Sequence, residues 1–214
     1  MKRRTLPVAV AFAVSAALLL TACGGGDEAE RNDKIAGAPT GAGGAASPSA
    51  ENAVDRPEIA LPSDLKDTFE SWNAADATQE SVLGDVAQRI DATNYAITQG
   101  DPEVPALGFY YVGTALGEAQ DWVQSIVGDG YTITGENRYY NAKVDVFDAG
   151  SAGVTYCEDQ GKAYAKDRKS GEVHKTEVTD NSYVLYTTRL EKSEQGVWQT
   201  TQLTSKRGHE SCTP

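Results

Sequence analysis

The sequence predicts an α+β domain over residues 58–214, with helices first and an antiparallel sheet second. Two periodicities predict it: apolar residues recur at helical spacing up to Gly130, and from Tyr131 onward they alternate with polar ones. The connections between the alternating runs supply a third observation. Asp148-Ala149-Gly150-Ser151, Lys169-Ser170-Gly171 and Glu194-Gln195-Gly196 are short and turn-like, so successive strands should pair antiparallel as a meander.

The first predicted helix starts at Ser63, a plausible N-cap followed by Asp64, and places Leu65, Phe69 and Trp72 at i, i+4 and i+7. A second runs from about Thr78 to Gln99, with Val82, Val86, Ile90, Thr93 and Ile97 on one stripe and Gly100 as its C-terminal stop. Pro105 opens a third helical segment carrying Leu107, Tyr111, Leu116, Ala119, Trp122, Val123 and Ile126, which Gly128 and Gly130 close. Three helical pieces are thus expected before any strand. Alternation then marks strands at residues 131–134, 142–147, 154–157, 183–186 and 197–200, the last polar enough to suit a sheet with one face in water.

Ahead of the domain stand Lys2, Arg3 and Arg4, an apolar run from Val8 to Leu20, and then Leu20-Thr21-Ala22-Cys23. The charge and the short apolar run make residues 1–22 a signal peptide and are too short for a comfortable membrane span. The four residues ending at Cys23 resemble a bacterial lipobox, which implies a lipidated Cys23 and a chain held on the outer face of the cytoplasmic membrane. Residues 23–57 are the expected disordered tether, since Ile35 and Val54 are their only sizeable aliphatics. As a flexible coil such a tether spans on the order of 30 Å.

Three cysteines leave one over, and assigning Cys23 to lipid leaves Cys157 and Cys212. An oxidising compartment favours joining them, a bridge that would stabilise the fold by about 4 kcal/mol in the chain-entropy model. Two free buried thiols are the alternative, against which stands the position of Cys212 almost at the C-terminus.

The formal charge of -12 is unevenly spread. Residues 58–130 hold thirteen Asp and Glu against only Lys66 and Arg89, whereas residues 131–214 hold twelve against eleven Lys and Arg. Such an acidic half is repelled by phosphate backbones and anionic lipid, which excludes nucleic acid as a partner and leaves membrane attachment to the anchor. The two histidines are isolated and no acidic run has the oxygen spacing of a calcium loop, so neither metal nor cofactor is expected. No Gly-x-Ser-x-Gly occurs, which removes an esterase-type nucleophile elbow.

With GYTITGENRYYN where helices give way to sheet, TYCEDQGKAY on an inner strand, SGEVHKTE, GVWQTTQL and a terminal cysteine, residues 58–214 resemble lipoproteins of high-GC Gram-positive bacteria that carry a nuclear transport factor 2-like domain. The resemblance implies a cone of helices packed on a curved antiparallel sheet. It also implies a pocket of the kind that various members use for isomerisation, dehydration, ring closure, ligand binding or protein contact. Fold alone does not choose among these. An enzyme would need a base beside an oxyanion donor, and Tyr156, Glu158, Asp159 and His174 are the candidates. Alternation puts Tyr156 with Glu158 on one strand face and Cys157 with Asp159 on the other. Each candidate also has a structural role open to it: Tyr156 as core, Glu158 or Asp159 answering Lys162 or Arg138, His174 exposed beside Lys175. The expectation is therefore a noncatalytic domain that binds a small ligand or an envelope protein, with an isomerase, dehydratase or cyclase as the alternative.

Overall fold

The computed structural model describes residues 54–214. The expected signal peptide, Cys23 and most of the expected tether lie outside the described residues. Element order is β1 (Leu65–Glu70), α1 (Ala77–Gln99), α2 (Pro105–Tyr110), α3 (Gly113–Gly128), β2 (Tyr131–Val146), β3 (Ser151–Asp167), β4 (Val173–His174), β5 (Tyr183–Lys192) and β6 (Trp198–Arg207). The strands form one curved, open sheet in the order β1-β2-β3-β5-β6, with β4 paired to β3. The expected α+β class and the antiparallel pairing of β2, β3, β5 and β6 are what the structure shows.

The stretch expected as the first helix is instead β1, which pairs parallel with β2 from Leu65 opposite Gly135 to Glu70 opposite Tyr140. Leu65 and Phe69 satisfy a period of two as well as one of four, and the residue between them on that face is Asp67, whose partners Asn94 and Asn137 are buried. A helix of some ten residues is marginal in isolation, whereas the open edge of β2 offers a ladder of backbone partners. A strand therefore precedes the helices.

Helix α1 matches its expected span. Asp76 caps it by accepting from the Gln79 N–H at 2.9 Å, and Gly100, at φ 75°, donates its own N–H back to the Ala96 and Ile97 carbonyls. The third helical segment is broken in two. Tyr111 bridges to Thr200 on β6 and the Val112 N–H donates to the Thr200 carbonyl at 3.1 Å, so the chain is extended for two residues before α3 begins. That break sets Tyr111 beneath α1.

Two irregularities bend β2 against β3, at Glu136/Arg138 and Tyr140/Lys143. Gly135 lies at φ 101°, where any side chain would run into the Lys162 carbonyl, so the close approach of the two strands requires glycine there. On the inner face of β3, Ala152, Val154, Tyr156 and Glu158 are buried in succession; on the outer face Cys157 is joined to Cys212 with their Cα atoms 5.5 Å apart. The Tyr140 hydroxyl adds a bond to the Cys212 carbonyl.

One part of the core joins the C-terminal half of α1 to α2 and α3 through Ala96, Ile97, Leu107, Tyr110 and Val123. The other joins its N-terminal half to the sheet through Val82, Val86, Ile90, Val154, Leu190 and Trp198. Contact with the domain begins ahead of Glu58: Val54 packs on the first cluster, and Arg56 pairs with the buried Asp85 and donates to the Tyr110 hydroxyl at 3.2 Å.

Candidate functional site

Between α1, α3 and the sheet lies a cavity of about 670 Å³. Aliphatic side chains of α1 and α3, notably Ile90, Ile97 and Ala119, cover one side, and Val184 and Leu203 of the sheet cover the other. Its buried end is polar, built from Arg89, Tyr111, Tyr139, Tyr156 and Glu158. Trp122, 53% exposed, stands at its rim with Glu118, Asp129 and Arg207.

Arg89 reaches this end because it falls on the apolar stripe of α1, three residues after Val86 and seven after Val82. It is only 3% exposed. Its Nη1 donates to the Tyr111 hydroxyl at 2.8 Å and its Nη2 to the Tyr156 hydroxyl at 2.6 Å, and both rings lie close enough for a cation–π contact, at 5.4 and 5.9 Å. Among the described residues no carboxylate is within ion-pair distance of it. Burial opposes the charge, but the two tyrosine oxygens more than offset it, and the Arg89 pKa stands above the ordinary arginine value.

Glu158 occupies the same buried end with a different set of partners. It accepts from the Tyr139 hydroxyl at 3.0 Å, the Tyr186 hydroxyl at 2.8 Å and the Gln160 amide at 2.9 Å. Burial pushes its pKa up against the pull of those three donors. Tyr156 stacks on Tyr186 with centroids 5.0 Å apart, which ties the two polar groups into one aromatic wall. A third polar group lies behind them: Asp67 is held by Asn94 at 2.7 Å and Asn137 at 2.8 Å, and its nearness, after burial, raises the carboxyl of Asp91 to about 7.

Of the four residues expected as acid/base candidates, two come together in the cavity and two do not. Tyr156 and Glu158 share the inner face of β3. Asp159 points outward and pairs with Arg138 at 3.0 Å. His174 sits on the exposed two-residue β4, which meets β3 only at Ala165 and Lys166; its ring packs edge-on against Tyr131. The strand that lies beside Tyr156 is β5, through Tyr186, and not the segment of His174. Arg89, absent from the expected set, is the residue that changes the chemistry of the site. Its signal was an arginine interrupting the apolar stripe of a helix in a half of the chain that holds one other cation. Among the described residues no group of three or more His, Cys, Asp or Glu is placed to hold a metal.

No protein-family model matches the sequence, and a search of curated proteins gives no match. Solved structures do resemble it. A ketosteroid isomerase-like protein from Erwinia carotovora atroseptica is 17% identical, over 60% of this chain and 94% of its own, with a TM-score of 0.41. A nuclear transport factor 2-like superfamily protein from Salmonella enterica is 12% identical, over 63% and 96%, with a TM-score of 0.43. The hexachlorocyclohexane dehydrochlorinase of Novosphingobium barchaimii is 11% identical, over 59% and 86%, with a TM-score of 0.40. At such identities the likeness concerns fold alone, and chemistry has to be read from the cavity itself.

Proposed function

We propose that this chain is a noncatalytic small-molecule-binding domain, carried on the outer face of the cytoplasmic membrane by a lipid on Cys23. The observation that supports binding is the cavity: its size lies in the range of ligand sites, its walls are largely apolar, and a few convergent polar groups stand at one end. The observation that weighs against chemistry is the state of Glu158. A general base needs a lone pair free for the incoming proton, and three protein donors already take three of the roughly four acceptor positions on the two oxygens of Glu158.

Support for the anchor comes from the order of charge, apolar run, small residues and cysteine at residues 2–23. The Cys157–Cys212 bridge suits an oxidising compartment, and no helix among the described residues is long and apolar enough to cross a membrane. An isomerase, dehydratase or cyclase is the second reading, favoured by one feature, a buried carboxyl with a raised pKa facing the cavity beside Tyr156.

Native mass spectrometry of the chain released from its own membranes tests the first reading. We expect a stoichiometric small molecule that is recovered chemically unchanged and is lost in Ala163→Phe, which fills the cavity from β3. Conversion of the recovered compound by fresh protein would establish the second reading instead, and a retained compound in the filled variant would place binding elsewhere.

A further inference from the structure

Hydrogen-bond accounting at the buried end of the cavity specifies the charge of what it holds. Arg89 has five N–H groups, of which one on Nη1 and one on Nη2 are used; its Nε–H has no partner among the described residues. Thr93 donates to the Arg89 carbonyl at 3.0 Å, so the Tyr111 hydroxyl donates to Thr93 Oγ1 at 3.0 Å and accepts from Arg89. The Tyr156 hydroxyl accepts from Arg89 and has no acceptor for its own proton among the described residues. Three guanidinium N–H groups and one phenolic O–H are therefore left over, around a cation without a counter-ion among the described residues. Unfilled donors on a buried charge are costly, and a purely structural arginine would have them filled.

We infer that the ligand is an organic anion, a carboxylate with an apolar body, whose oxygens take the free donors of Arg89 and Tyr156 while its body lies between Ile90, Ile97, Val184 and Leu203. This rests on the small-molecule-binding reading and narrows it. Two oxygens in a plane match the guanidinium fork, and an acceptor-only group fits a place where only donors remain. A cation or a donor-rich neutral head would meet the charge of Arg89, and the carboxyl at this end, Glu158, already has three protein donors on it. The oxygens of Glu158 are turned to Tyr139, Tyr186 and Gln160, and burial pushes its pKa up, so its opposition to an anion is limited. At the rim Arg207 is the other cation lining the cavity, beside Glu118 and Asp129, so entry is not closed to a single negative charge.

The test compares aryl-alkyl carboxylic acids of increasing length, from 3-phenylpropionate upward, with their primary amides, which have nearly the same shape and no charge. Binding is read by ligand-detected NMR on the full chain in neutral phosphatidylcholine nanodiscs. We expect the acids to bind at least tenfold more tightly than the amides, Arg89→Met to erase that preference while amides still bind, and Tyr156→Phe to weaken the acids severalfold. The wild-type comparison stands even where Arg89→Met does not fold. Amides binding as well as acids would overturn the anion assignment and leave the cavity reading intact. Failure of both series would remove the cavity reading and the assignment with it. A preference for acids that survives in a folded Arg89→Met would show the charge to be read elsewhere.

Discussion

Replacing Arg56 by Met should destabilise the domain although the residue lies in the stretch expected to be tether. Asp85, which it pairs with, is 1% exposed, and the other oxygen of that carboxylate accepts the Trp198 backbone N–H at 2.8 Å. Removing Arg56 leaves a buried carboxylate with a single neutral donor. Breaking a fully buried pair typically costs about 3–5 kcal/mol. Arg56 is itself 40% exposed, so water can replace part of what is lost, and the expected cost falls to about 1–2 kcal/mol. Asp85→Asn keeps an acceptor for Trp198 and removes the charge, so the double variant should be less destabilised than the sum of the two singles by about 1 kcal/mol. Equilibrium urea unfolding of the four proteins measures this, with unchanged m-values as the sign that only the native pair has been altered. An Arg56→Met midpoint indistinguishable from wild type, or strict additivity in the cycle, would refute the view that the domain is fastened from Arg56 onward.

Cys212→Ser opens a loop of 55 residues, which the chain-entropy model puts at about 4 kcal/mol; because Tyr140 still holds the Cys212 position, we expect a loss of about 2–3 kcal/mol in thermal unfolding, and labelling of Cys157 and Cys212 by thiol reagents in the unreduced wild type would contradict it. Asp91 binds its proton more tightly folded than unfolded, with a pKa of about 7 against an ordinary 3.8, so its stabilising contribution is complete below about pH 4 and is lost as pH rises through 7. The free energy of urea unfolding should therefore decline from pH 5 to pH 8, by about 1–2 kcal/mol after allowance for partial exposure, and Asp91→Asn should flatten that slope; an unchanged slope would assign it to other groups. Glu158→Gln removes the ionisable carboxyl from the buried end and should leave carboxylate binding equal or tighter, measured as above, whereas its loss in a folded protein would give Glu158 a direct role. Cys23→Ala should leave the chain unprocessed or release it from the membrane fraction, and correct cleavage with full membrane retention would rule out the lipid anchor.

How much of this was legible in the chain differed by element. Helix α1 has a long apolar stripe and a glycine stop, and the sheet strands alternate, so both periodicities carried through to the structure. The same alternation put Tyr156 and Glu158 on the cavity face and Cys157 with Asp159 behind it. β1 was not legible, because Leu65, Phe69 and Trp72 fit a helix while the inward-facing, half-buried Asp67 hid the strand alternation; its stabilisation comes from the edge of β2, some seventy residues away. Nor was the break between α2 and α3, since nothing in Tyr111-Val112 forbids a helix and the competing partner is Thr200. His174 was expected to join Tyr156 in an acid/base set, a meeting that depends on which segment pairs with β3 along its middle. The site escaped for a related reason. Arg89, Tyr111 and Tyr156 come from α1, the α2–α3 break and β3, and only the fold reveals that an arginine on an apolar stripe meets two tyrosines and, among the described residues, no carboxylate.

The most direct measurement is of the tyrosine ring protons when 4-phenylbutyrate is titrated into the chain with its tyrosines isotope-labelled. Occupation of the cavity predicts saturable shifts of Tyr111, Tyr139, Tyr156 and Tyr186, which line it, and none of Tyr183, which does not. Shifts confined to Tyr183 and other rings outside the cavity, or no saturable shift of any ring, would contradict a ligand-binding cavity in this protein.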